Sequence, residues 1–496
     1  MLTFRNDSIT QIVSSMVVCA AVACAASVPV PNVTALPVTA DSYPFGTSSK
    51  SLAAVDLAKA GYLEEEFLLT GTANVYDWAA DGSLSVKSSA APYGTRILVR
   101  RPAKAGRFSG TVVVEIVTQA RRFDWPMMWG YMSNHIMESN DAWVGVTMPG
   151  SMQGVKKFNP QRYAALSFAN PAPGAPCPGA GKGGPSDQED GLRWDVLSQL
   201  AAALKRDGQL LGGAKGQFVY MTSGLQGADV VTYINAIHSH ATLENGKPLY
   251  DGYLIKNAGG AGRINQCAAA PAAGDVRRNI ADVNVPVMNV VAEGEVLASL
   301  AMRKADSDDL AGRFRQYEIA GAAHIDQDAF FAMPVLADQI AAVGTAQGTA
   351  DWPLNAVCEP AIPLITHPLM RYALDGAFVG LDQWARKGVA PPKASLMEVS
   401  GAGTPQAKLA VNEFGALGGV RSLYVDAPVE TYATGSAGPG TCRELGHVVP
   451  FDPARIQSVY GDRKKFAAKA TQVVNRTVKE RFFTESDGKR MKAEIK

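Results

Sequence analysis

The sequence lacks the marks of several large classes of protein. Its 47 basic and 46 acidic residues nearly cancel, leaving a net charge of +1, and neither sign forms a run. Nucleic-acid-binding surfaces concentrate Lys and Arg, so we expect no nucleic-acid partner. No internal repeat is evident, which argues against repeat architectures.

Metal, redox and nucleotide signatures are missing too. The six cysteines include no C-x-x-C pair, so neither a zinc site nor a dithiol redox centre is expected. The glycine run at residues 257–262 does not complete G-x-G-x-x-G, and no acidic residue is suitably placed after it. We expect a plain loop there, and no cofactor or metal ion.

Long hydrophobic runs are confined to the N-terminus. Residues 12–23 are apolar and follow Arg5, a pattern too short for a comfortable membrane span and typical of a signal peptide. We predict that residues 1–26 are removed on export to the periplasm or the medium. The alternative is a lipoprotein-type box that leaves Cys24 as a lipid anchor.

The four cysteines beyond the leader favour disulfides. An even number in an exported chain predicts two bridges, for which three pairings exist. Our choice among the three is Cys177 with Cys267 and Cys358 with Cys442.

The sequence does contain a regular alternation of buried strands and helical segments. It is 47% hydrophobic and 19% charged, which is typical of a globular protein with a large core. Short β-favouring runs predict strands at residues 111–117, 142–147, 218–220, 249–255, 285–291 and 314–319. This order predicts an α/β fold, with a mostly parallel sheet and helices on both faces.

The rest of the chain adds to that core, which we place at residues 111–335. Residues 28–110 are predicted to wrap the surface and then form antiparallel strands. Residues 150–190 are predicted to be an irregular Pro/Gly-rich insertion, either overhanging the active site or linking domains. Residues 336–496 are predicted to form a helical extension that packs on the core.

The most informative stretch is residues 217–240. A β-favouring run at 218–220 and helical spacing over 228–238 enclose a turn of small residues around Leu225. Strand, tight turn and helix are the layout of a nucleophile elbow, in which G-x-S-x-G presents a catalytic serine. An ordinary strand-to-helix turn is the alternative.

The serine of that motif is missing, and no complete G-x-S-x-G occurs elsewhere in the chain. Either Leu225 occupies the position of the serine, or one residue is absent between Gly224 and Gly227. Ser223 lies two positions early, so it would serve as a substitute nucleophile only if the turn shifted.

An acid and a histidine follow in the order typical of α/β-hydrolases. His324 comes after the last predicted strand, and Glu293 and Glu295 come after the one before it. A histidine accepts the proton of the nucleophile while a carboxylate orients the imidazole. We choose Glu295 as the acid, with Glu293 as second choice.

The oxyanion hole is predicted from backbone N–H groups at the same edge of the sheet. Gln226 supplies one of them, and the loop that contains Thr118 and Gln119 supplies the other.

Several further stretches match one known family: residues 93–102, 110–115, 189–195, 231–238, 250–253 and 318–324, and near the end residues 418–421 and 450–452. On these residues the chain resembles the exported α/β-hydrolase-domain family of bacterial and fungal esterase-like proteins. The resemblance covers nearly all of the mature chain. The family implies a serine hydrolase that acts on a small-molecule carboxylic ester or a related acyl bond.

Two departures from the family lead to three hypotheses. The family has an asparagine near Thr118, and its elbow serine has no counterpart here. The first hypothesis is an ester hydrolase scaffold with a changed elbow. The second is a pseudoenzyme that binds an acyl or aromatic ligand, lined by Trp125, Met127, Met128 and Trp129, although core packing explains these residues equally well. The third is a lyase that uses His324 without a nucleophile.

Overall fold

A computed structural model describes residues 28–79, 81–177, 186–344, 358–361 and 364–495. The predicted signal peptide and lipid anchor lie outside these ranges. In the part of the chain that the structure describes, no helix is long and apolar enough to cross a membrane.

One large sheet organises the described residues. Its nine strands lie in the order β1-β2-β3-β5-β4-β6-β7-β8-β9. The first four of these pair antiparallel, and the strands from β5 to β9 in this order pair parallel. The strands are β1 Asn32–Ala35, β2 Tyr62–Trp78, β3 Leu84–Pro102, β4 Thr111–Ile116, β5 Ala142–Val146, β6 Phe218–Ser223, β7 Gly252–Lys256, β8 Val287–Ala292 and β9 Phe314–Ile319.

Helices follow most of the parallel strands, and further helices make up the C-terminal part. They are α1 Met127–Ser139, α2 Pro149–Phe158, α3 Arg193–Arg206, α4 Gly227–Thr232, α5 Glu293–Ser299, α6 Gln327–Phe331, α7 Leu336–Val343, α8 Leu369–Lys387, α9 Leu423–Asp426, α10 Pro453–Tyr460, α11 Arg463–Lys479 and α12 Glu485–Glu494. Three short ribbons accompany them: β10 Val399–Ser400 with β11 Lys408–Leu409, β12 Val411–Asn412 with β13 Gly415–Ala416, and β14 Glu430–Ala433 with β15 His447–Pro450.

The central strands are buried on both faces. Every residue of β4, β5, β7, β8 and β9 is buried, which explains why β4, β5, β7 and β8 are mostly apolar, whereas β9 buries Arg315, Gln316 and Glu318 as well. Tyr220 of β6 donates its hydroxyl hydrogen to Asp382 of α8 at 2.9 Å, on one face. Val219 lies on the other face, near the end of α3. The predicted α/β-hydrolase architecture, with helices on both faces, is therefore confirmed.

The prediction of an irregular insertion is wrong for its first residues. Residues 150–190 were expected to be irregular, yet α2 spans Pro149–Phe158. Pro149 stands in the first turn, where its missing N–H is not needed. Gly154 lets the helix approach the loop before α1, because a Cβ there would lie 2.1 Å from the carbonyl oxygen of Arg122.

Both predicted disulfides are confirmed. Cys177 bonds to Cys267, which ties the insertion to the loop after β7, and Cys358 bonds to Cys442. The insertion also pairs with the main sheet, through a bridge between Gly94 of β3 and Ser167. Residues 178–185, in its Pro/Gly-rich part, lie outside the described residues.

Candidate active site

His324 and Glu295 contact each other at the carboxyl edge of the sheet. His324 lies in the loop after β9, and Glu295 lies in the first turn of α5, directly after β8. The imidazole Nδ1 donates to Oε1 of Glu295. Nε2 of His324 forms no hydrogen bond with any described residue, so it is left free to accept a proton.

The carboxylate of Glu295 is surrounded by donors. Oε1 also accepts from Asn257 Nδ2 at 2.9 Å. Oε2 accepts from the backbone N–H of Ala292 at 3.2 Å and from Lys256 Nζ at 3.4 Å. The side chain of Glu295 is only 5% exposed, so these four donors replace the water that an ionised carboxylate would otherwise need.

The surroundings keep Glu295 ionised. Burial alone would raise the pKa of the carboxyl group, but the nearby charges of Lys256 and His324, together with the hydrogen bonds from His324 and Asn257, lower it to about 2. A carboxylate that stays charged in this position fixes the imidazole tautomer and stabilises the imidazolium when it forms.

Glu293, the second choice for the acid, has different partners. One of its oxygens, Oε2, accepts from the N–H of Gly321 at 2.7 Å and from the hydroxyl of Tyr432 at 2.9 Å. Burial raises the pKa of Glu293. It makes no hydrogen bond with His324, so the geometry singles out Glu295 as the partner of the imidazole.

The turn after β6 is packed tightly on both sides. A Cβ on Gly224 would lie 2.6 Å from Sδ of Met127 at the start of α1. A Cβ on Gly227 would lie 2.0 Å from the carbonyl oxygen of Asn257. Strand and helix therefore approach their neighbours as closely as in a nucleophile elbow, where small residues flank the serine for this reason.

Gly227→Ala should lower the free energy of unfolding by about 1 to 3 kcal/mol, because the new Cβ collides with backbone that has little room to move. Gly106→Ala is the matched control, since a Cβ there meets nothing within 4 Å. Urea unfolding of the oxidised protein measures both. Equal stability of the two variants would show that the turn is not constrained as described.

Leu225 is half-buried and packs against the edge of the core. It contributes no atom that can attack a carbonyl carbon. None of residues 223–227, all of which the structure describes, has a positive φ. The turn thus lacks the strained backbone that normally holds an elbow serine above the sheet.

Ser223 faces away from α1. Side chains alternate along a strand, so Ser223 shares a face with Val219, near α3, whereas Tyr220 faces α8. The hydroxyl of Ser223 is buried and bonds to no described residue.

The candidate oxyanion-hole residues differ in whether their backbone N–H groups are free to bind a ligand. The N–H of Thr118 donates to the carbonyl oxygen of Trp125 at 3.0 Å, so it is not available, and this prediction needs correction. The backbone N–H groups of Gln119 and Gln226 bond to no described residue. Gln226 is the N-cap of α4, where free N–H groups point outward from the first turn.

The C-terminal extension forms one side of the site. The N–H of Ile325, next to His324, donates to the carbonyl oxygen of Glu444 at 2.9 Å. A Cβ on Gly294 would lie 3.3 Å from Thr434 and 3.5 Å from the backbone nitrogen of His324. The disulfide between Cys358 and Cys442 ties this segment down two residues from Glu444.

Two residues of the site escaped the sequence analysis. Lys256 and Asn257 end β7 and enter the next loop, and both contact Glu295. One sequence feature could have identified Lys256, namely its position at the end of an apolar strand. A lysine that is buried there needs a partner for its charge.

Three of the other histidines contact neighbouring side chains of the fold. His238 bonds to the hydroxyl of Tyr253 at 2.7 Å and to Oδ1 of Asn284 at 2.8 Å. His135 lies within α1, and His367 pairs with Glu430 in the C-terminal part. Among the described residues, no group of three or more His, Cys, Asp or Glu side chains is arranged to hold a metal ion.

The four residues of the proposed ligand pocket lie in the core. Trp125, Met127 and Met128 are 0% exposed and Trp129 is 3% exposed. The indole N–H of Trp125 donates to the carbonyl oxygen of Ala329 at 2.7 Å. Core packing accounts for these contacts.

The chain is similar to several solved structures and to one protein family. A glucuronoyl esterase from Solibacter usitatus is 10% identical, over 58% of this chain and 82% of that chain, at a TM-score of 0.29. Esterase B from Lactobacillus rhamnosis is 11% identical, over 51% of this chain and 74% of that chain, at a TM-score of 0.22. No curated protein matches the chain. The family model described as an alpha/beta hydrolase domain matches residues 27–493, and the chain therefore belongs to that family.

Proposed function

We propose that this protein is a carboxylic ester hydrolase scaffold of the serine-hydrolase type from which the attacking hydroxyl is absent. The observation that carries the proposal is the pair of His324 and Glu295, which Asn257 connects to a turn with no serine between Gly224 and Gly227. The imidazole is held through Nδ1 by a buried carboxylate, and Nε2 has no partner among the described residues.

In an intact site of this kind, Nε2 of His324 takes the proton of the attacking hydroxyl and returns it to the leaving alcohol. Glu295 stays ionised and stabilises the imidazolium. The N–H groups of Gln119 and Gln226 stabilise the negative oxygen of the tetrahedral intermediate. Leu225 supplies no nucleophile, so the acyl-enzyme of this mechanism does not form.

We also propose that the protein is exported to the periplasm or the medium. Its two disulfides, with the signal-like residues 1–26, support an oxidising compartment.

The unmodified protein should hydrolyse p-nitrophenyl acetate no faster than its His324→Ala variant, because removing the base of a site without a nucleophile costs nothing. Initial rates of both, with Ser223→Ala as the matched hydroxyl control, measure this. Activity that Ser223→Ala abolishes would place the nucleophile at Ser223 and contradict the absent hydroxyl. Activity that survives Ser223→Ala but not His324→Ala would instead favour a reaction in which His324 acts alone.

A further inference from the structure

Lys256 is a buried cation inside the candidate active site. It ends β7, between the elbow strand β6 and β8, which leads into Glu295. Its side chain is 0% exposed. Nζ donates to the backbone carbonyl oxygen of His324 at 2.9 Å and lies 3.4 Å from Oε2 of Glu295. One ammonium group thus contacts both members of the pair.

We propose that Lys256 is a positioning residue of this site: its charge holds Glu295 as a carboxylate, and its hydrogen bond fixes the loop that carries His324. The catalytic meaning of this role rests on the proposed function, whereas the electrostatic role does not.

The need for this cation follows from the role proposed for His324. An imidazole that is ready to act as a base is neutral, so it gives Glu295 no positive charge to pair with. A carboxylate as deeply buried as Glu295 would then bind a proton at a higher pH. A protonated Glu295 no longer stabilises the imidazolium, so the ammonium group of Lys256 beside it keeps the pair functional.

The other titratable groups nearby do not replace Lys256. Tyr131 of α1 is within electrostatic reach of Glu295, and burial raises its pKa well above the ordinary value, so it is neutral. Asp326, which is close to Tyr131, has its pKa raised to about 8 by burial and by the charge of Asp328. Neither group supplies positive charge.

The backbone hydrogen bond adds a geometric effect. The loop after β9 has Gly321 at a φ of +83°, so the chain turns sharply before His324. Lys256 then anchors the carbonyl of His324, and Glu295 holds its imidazole. The backbone of His324 is therefore held by a residue at the end of β7, and its side chain by a residue that follows β8.

The test is the titration of Glu295, followed by NMR of a sample with ¹³Cδ-labelled glutamate, in which Glu295→Gln identifies the signal. Lys256→Met removes charge and donor, and Lys256→Gln removes the charge but keeps a donor. Both variants should raise the midpoint of the Glu295 titration by about 1 to 3 pH units. Lys205→Met is the control, because Lys205 pairs with Asp251 at the opposite end of β7.

The lowered pKa of Glu295 determines how the stability of the folded protein changes with pH. Ionised Glu295 stabilises the folded state above its ordinary pKa of 4.5, and this contribution is lost as the pH falls toward about 2. Acid unfolding of both Lys256 variants should therefore occur at a higher pH than that of the unmodified protein.

Two results would overturn the proposal. An unchanged titration of Glu295 in the folded Lys256→Gln variant would show that the charge is not needed. A shift in Lys256→Met alone would show that only the hydrogen bond matters. These measurements need no substrate. If the shift occurs and a variant with a restored serine still fails to cleave esters, the proposed function is wrong and the role of Lys256 stands.

Discussion

Inserting one serine between Leu225 and Gln226 should raise kcat/KM for p-nitrophenyl acetate by about 10³-fold or more, because losing a triad serine typically costs on the order of 10⁶ in turnover. The pair of His324 and Glu295 is already in contact, and the N–H of Gln226 is available for an oxyanion. Only the attacking oxygen has to be supplied.

The insertion should be more effective than the replacement Leu225→Ser. Gly224 and Gly227 both make the close contacts that flank an elbow, against Met127 and against the carbonyl oxygen of Asn257. In G-x-S-x-G three residues separate the flanking glycines, but here only two do. A turn with one more residue has the length that presents a side chain above the sheet.

The control is the same insertion combined with His324→Ala, which should return the rate to that of the unmodified protein. An insertion of alanine at the same place tests whether lengthening the turn alone has an effect. A gain with the alanine insertion, or a gain that survives His324→Ala, would contradict the proposed roles.

Glu295→Gln in the background with the inserted serine should lower kcat by about 10⁴-fold. Every hydrogen-bond partner of Glu295 is a donor: Lys256, Asn257, the N–H of Ala292 and His324. The amide NH₂ of a glutamine has to face one of these donors. Either it loses a hydrogen bond, or it forces the imidazole into the wrong tautomer.

Glu293→Gln is the matched control for that variant. Glu293 bonds to Gly321 and Tyr432 and not to His324, so kcat should stay nearly unchanged. Glu295→Gln also leaves Lys256 buried without an anion, which should cost about 3 kcal/mol of stability. Adding Lys256→Met should recover part of that stability but not the rate. Equal loss of kcat in the two glutamine variants would contradict the assignment of the acid.

The central strands were predictable because both of their faces are covered. The run at residues 314–319 coincides with β9, and the run at 111–117 differs from β4 by one residue. The helix α2 was missed because Pro149, Gly150 and Gly154 read as a loop. Its helical state depends on packing, since Gly154 lies against Arg122.

The site was predictable where chain order sets the geometry and not where strand register does. Glu295 and His324 follow β8 and β9 in the chain, and this order was enough to predict that they contact each other. That Glu295 lies inside a helix was not foreseen, because Gly294 reads as a turn residue. The contact with Lys256 depends on the pairing of β7 with β8, for which a single sequence carries no signal.

Covalent labelling of the serine-inserted protein with a fluorophosphonate probe, read by peptide mass spectrometry, decides whether an acyl-transfer site minus its nucleophile is present. We expect one adduct, on the inserted serine, that depends on His324, and no adduct on the unmodified chain. Labelling of the unmodified chain at Ser223, or no labelling of the folded serine-inserted protein, would contradict this view.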